Sequence, residues 1–143
     1  MKSIATLLFV VIFCGVNIVQ ADTLDSKQAA RNLTDQVMVK VSSGNYSAGL
    51  MHLKPYFVIP ESEFNVMLEQ IKMQTPVMQS RYGNTLGSEF ISEKMAGQSL
   101  LQIVHIQKFE KHAIRWQFIF YNPKGKWVLN TFNFNDNIQP MFE

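Results

Sequence analysis

The sequence predicts an α+β domain in which three N-terminal helices cover one side of a four-stranded antiparallel meander. Two observations carry that prediction. Apolar residues recur at helical spacing as far as about Tyr82 and then switch to alternation from about Leu86. The strong strands that follow are joined by Glu110-Lys111 and Asn122-Pro123-Lys124-Gly125, turns too short for a crossover, so neighbouring strands run antiparallel.

The first residues read as an export signal rather than as part of this domain. Met1-Lys2-Ser3 carries one positive charge, and Ile4 to Val19 is apolar apart from Thr6, Gly15 and Asn17. Val19-Gln20-Ala21 places small residues at the −3 and −1 positions of a signal-peptidase site. The apolar run is short for the ~20 residues of a spanning helix. Phe13 before Cys14 does not suit a lipoprotein signal, which wants a small residue there. The expected organisation is a signal peptide over residues 1–21 and a single domain over residues 22–143. The exported chain is then periplasmic or extracellular, with no membrane segment after cleavage and no cysteine, because Cys14 is the one cysteine.

Leu24 to Ser43 reads as the first helix, with Ala30, Leu33, Val37 and Val41 on one stripe. Ser43-Gly44-Asn45 stops it, since Gly takes the left-handed position after a helix. Tyr46 to Leu53 reads as a short second helix ended by Pro55. Tyr56 to Ile59 is an extended link. Pro60 opens a third helix, with Glu61 and Glu63 near its positive end. Phe64, Met67, Leu68 and Ile71 form its buried face. Pro76 is expected to kink or end it, with a last turn through Tyr82.

Leu86 to Met95 is a weak strand, and Leu100 to Phe109 a strong one. Ala113 to Tyr121 alternates cleanly: Ile114, Trp116, Phe118 and Phe120 share one face, and Arg115, Gln117, Ile119 and Tyr121 the other. A two-residue turn pairs Gln107 with Ile114, His105 with Trp116 and Ile103 with Phe118, so His105 falls on the inner, aromatic face. The last strand, Trp127 to Asn135, has two registers. One turns Trp127 and Leu129 inward, the other Val128, Phe132 and Phe134.

The run Phe118-Ile-Phe-Tyr-Asn-Pro-Lys-Gly-Lys-Trp127-Val-Leu-Asn-Thr-Phe132-Asn-Phe134-Asn-Asp136 resembles the terminal hairpin of small NTF2-like (cystatin-like, SnoaL-like) domains. The Gly44-Asn45-Tyr46 break after the first helix is similar to theirs too. The resemblance implies a curved sheet whose concave face wraps a long helix, leaving a conical pocket. It does not fix a function, because that superfamily includes isomerases, cyclases, dehydratases and exported domains without known activity.

Composition narrows the classes further. Removing residues 1–21 removes Lys2 and leaves a net charge of +1, too small for generic nucleic-acid binding. The lysines near the two turns, Lys108 and Lys111 against Lys124 and Lys126, fall at opposite ends of the sheet. His52, His105 and His112 show no metal-ligand spacing, and no nucleotide or hydrolase fingerprint occurs, so no cofactor is implied. Glu89 and Glu93 are the two carboxylates that could point inward, where an isomerase-like site would need one, but the favoured reading is an exposed edge strand on which their charge blocks aggregation. His105 is the sharpest candidate base, beside Trp116 and Phe118 and with Tyr56 or Tyr82 as a second polar group. The leading expectation is a non-catalytic domain binding a small apolar ligand, a peptide or a protein partner through these residues. The outer sheet face could pair two copies. Asn32-Leu33-Thr34 and Asn45-Tyr46-Ser47 are glycosylation sequons.

Overall fold

A computed structural model of the chain describes residues 20–143. The expected signal segment lies outside them up to residue 19. The described chain is α+β: helices α1 (Lys27–Ser42), α2 (Tyr46–Met51) and α3 (Glu61–Tyr82), then strands β1 (Thr85–Ala96), β2 (Leu100–Phe109), β3 (Ala113–Tyr121) and β4 (Val128–Asn135). The strands form one antiparallel sheet in the order β1-β2-β3-β4. Short 3-10 turns lie at Lys54–Tyr56 and Gln139–Phe142.

Helix α1 begins three residues later than its apolar stripe suggests. Ser26 caps it by accepting a hydrogen bond from the Ala29 N–H at 3.0 Å. Leu24 is freed to form a bridge with Trp127, each donating its N–H to the other's carbonyl. Asn45 caps α2 in the same way, through the Ala48 N–H. The two helices cross at Gly49, where a Cβ would come within 2.9 Å of the Val37 carbonyl oxygen. Pro76 does not end α3, which continues to Tyr82. The carbonyl left without its N–H partner is that of Lys72, on the exposed side of the helix, where water can satisfy it.

The β2–β3 register is the one predicted: Gln107 opposite Ile114, His105 opposite Trp116, Ile103 opposite Phe118. The β4 question resolves differently from either register alone. Leu129 pairs with Phe120, then Asn130 is bulged out, and Phe132 and Phe134 pair with Phe118 and Trp116. One extra residue reverses the alternation. Leu129, Phe132 and Phe134 thereby all face inward, joined by Trp127 just before the strand. A similar irregularity between Phe90 and Ser92 splits the two carboxylates expected to share a face. Glu89 stands opposite Ile106 on the outer side, 3.6 Å from the Lys108 Nζ. Glu93 stands on the helix side but pairs at 4.0 Å with Lys27 at the start of α1.

Candidate functional site

Trp116, Phe118 and His105 form one cluster and are sealed in the core; His105 is 2% exposed. Trp116 stacks on Phe134 at 4.5 Å between centroids, and Phe118 stacks on Phe132 at 6.1 Å. The cross-strand pairing of β3 and β4 puts these four rings side by side as an aromatic slab. His105 meets Phe118 and Phe90 edge-on, at 6.0 and 5.7 Å.

The polar atoms inside this cluster are matched. Thr34 Oγ1 donates to the Arg31 carbonyl and so accepts from His105 Nε2–H at 2.9 Å, which fixes the tautomer of the neutral ring. Burial pushes the His105 pKa down to about 4, against a smaller opposing pull from Asp35. The imidazole is therefore neutral at pH 7. Asp35 Oδ1 lies 3.8 Å from Nε2, beyond hydrogen-bond reach, and is held by Arg31 Nε at 2.8 Å. Arg31 lies over Phe90, its Cζ 3.2 Å from the ring centre. Sequence reasoning missed Thr34, Asp35 and Arg31 as partners of His105.

It also missed Gln107. This fully buried amide accepts from Trp116 Nε1–H at 3.3 Å and donates to the Tyr46 hydroxyl at 2.8 Å. Burial raises the Tyr46 pKa, so the phenol stays protonated. The signal was present: Gln107 falls on the alternating inner face of β2, where an uncompensated amide would be costly.

The two tyrosines belong elsewhere. Tyr56 sits half-buried on the 3-10 turn before α3. Tyr82 closes α3 in a second cluster. It donates to Asp136 Oδ2 at 2.9 Å and stacks on His112 at 5.0 Å, and His112 Nε2 in turn lies 3.0 Å from the Asp136 carbonyl oxygen. The five expected site residues thus divide into the buried trio and two separate positions.

The open surface lies along α3. A cleft of about 240 Å³ runs between α3 and β4, lined by Met67, Gln70, Ile71, Gln74 and Phe132 to Phe134. Its floor is the half-exposed edge of the aromatic slab, and β4 is an edge strand of the sheet. A larger cleft of about 620 Å³ adjoins it along α3, from Gln70 to Tyr82. On the outer sheet face, Leu100, Gln102 and Ile119 line another of about 300 Å³. Also on that face, Arg115 Nε is buried without a hydrogen-bond partner among the described residues. Among the described residues no group of three or more His, Cys, Asp and Glu could hold a metal, and no helix is long and apolar enough to cross a membrane. No protein-family model matches this chain, nor does any curated protein or solved structure compared with it.

Proposed function

We propose that this chain is an exported, non-catalytic binding domain of NTF2-like layout, and that it takes an extended apolar peptide segment in the groove between α3 and β4. The observation that carries the reading is where the apolar surface lies. It is filled and closed around Trp116, and open where Phe132 and Phe134 meet Met67 and Ile71. An edge strand offers backbone groups for strand addition, and inner-face side chains two residues apart give such a peptide its side-chain contacts. The groove walls are uncharged, with Gln70 and Gln74 supplying amides one helical turn apart. The non-catalytic part is supported by His105, which is sealed, neutral and engaged with Thr34, and by Tyr56 and Tyr82 lying apart from it.

The test is to select binding peptides by display and map them by amide chemical shifts. Shifts are expected on β4 from Phe132 to Asn135 and on α3 from Met67 to Gln74. Gln70→Glu with Gln74→Glu places charge on the groove wall while leaving the core intact, and should weaken binding about tenfold, the effect of ~1.4 kcal/mol. Peptides that shift the outer sheet face instead, or bind the double variant equally well, would sink the groove.

A further inference from the structure

Helix α3 carries two apolar seams where a helix packed on one neighbour needs one. The inward seam is Phe64, Leu68, Ile71, Met78 and Tyr82. The second runs Glu63, Val66, Gln70, Met73, Val77, Arg81, at spacings of three and four, and every residue on it is exposed. Val66, Met73 and Val77 are 58%, 69% and 64% exposed. The remaining side of the helix is polar apart from Pro76: Ser62, Asn65, Glu69, Lys72, Gln79 and Ser80. The apolar residues are therefore confined to a stripe, not scattered.

The ends of that stripe decide what covers it. Glu63 stands at one end and Arg81 at the other. Arg81 stays 68% exposed and lies 3.7 Å from Asp136, too far for a hydrogen bond. Turned end for end, the stripe complements itself. Val66 falls opposite Val77, Gln70 opposite Met73, and Glu63 beside Arg81. A parallel arrangement would set Glu63 against Glu63. The large cleft beside Met73 and Val77 leaves room for the incoming side chains. We infer that this surface takes a second copy of the chain, two α3 helices packing antiparallel about a twofold axis with Glu63 of each against Arg81 of the other. Such an isologous contact closes on itself, and antiparallel helix dipoles favour it. It shares Gln70 with the wall of the peptide groove but rests on a different observation, the exposed stripe and its oppositely charged ends.

Sedimentation velocity on the purified protein tests it. A concentration-dependent dimer is expected. Met73→Glu, at an exposed site that leaves the fold intact by circular dichroism, should raise its dissociation constant about thirtyfold or more, as for a hot-spot loss. Glu63→Arg should weaken it as well, and Glu63→Arg with Arg81→Glu should restore it, because the exchanged charges again meet across the axis. A protein that stays monomeric at every concentration overturns the proposal. So does a dimer that survives Met73→Glu but is lost in Ile119→Asp, which would place the contact on the outer sheet.

Discussion

At the residue scale, His105 is the side chain whose environment departs furthest from water. Its charged form is disfavoured because ring and neighbours are buried together: Phe90 and Phe118 edge-on, Thr34 at Nε2, Asp35 and Arg31 just beyond. The folded pKa of about 4 lies below the ordinary histidine value, so the unfolded chain takes up a proton that the folded chain refuses. Stability should be complete above about pH 6.5 and fall as pH drops toward 4, by on the order of 3 kcal/mol at most. Urea unfolding at stepwise pH checks this, with His105→Gln as the control: its amide can still donate to Thr34, and the slope between pH 6.5 and 4 should flatten. An unchanged slope in that variant would assign the acid sensitivity elsewhere. The position of His105 beside Trp116 was legible, because alternation and a two-residue turn fix the β2–β3 register. Its partner was not, since Thr34 comes from a helix 71 residues earlier, and side-chain period says nothing about which helix residue lands over which strand residue.

At the element scale, what escaped the sequence was irregularity. Trp127 and Leu129 ask for one alternation in β4, Phe132 and Phe134 for the other, and both demands are met by spending one residue, Asn130, on a bulge. A strict period-2 reading has no place for that residue. The same holds in β1, where Glu89 and Glu93 share a face by count but not in the sheet. Deleting Asn130 should force one of the two apolar pairs outward. Exposing two large side chains costs about 3–6 kcal/mol at ~1.5–3 kcal/mol each, so the deletion should approach or exceed the stability of the domain. Asn130→Ala keeps the residue count, and with its side chain exposed it should change stability by ~0.5 kcal/mol or less, as surface substitutions do. Equal denaturant midpoints for the deletion and the wild type would show that β4 has another way to keep both pairs buried.

At the scale of the whole molecule, α1 packs on β1 and β2 and α2 packs on α1, while α3 is pinned at points. Phe64 anchors its start, Ile71 and Met78 its middle, and Tyr82 its end. The end is held most specifically. Tyr82 bonds Asp136 beyond β4, and its carbonyl accepts the Lys111 N–H of the β2–β3 turn. Glu110 of that turn accepts the Asn84 N–H and lies against Gly83, which turns the chain with φ 86°. The hydrogen bond from Tyr82, with help from Arg81, holds the Asp136 carboxyl below the usual carboxylate range. A depressed carboxyl pKa means that the clamp is fully present above the unfolded aspartate pKa near 4 and is lost as pH falls through the folded value. This window lies below most of that of His105, so the two separate on titration. Helix α3, outlined by an exposed apolar stripe and tied down at few places, should open as a local unit before the sheet does. Native-state amide exchange should show this directly. Asp136→Asn keeps the shape but removes the charge, and should speed exchange in the last turn of α3, Gln79 to Gly83, while leaving β2 and β3 unchanged. Exchange that rises equally across the sheet would mean that the clamp supports the whole fold. No change at all would mean that Ile71 and Met78 hold the helix without it.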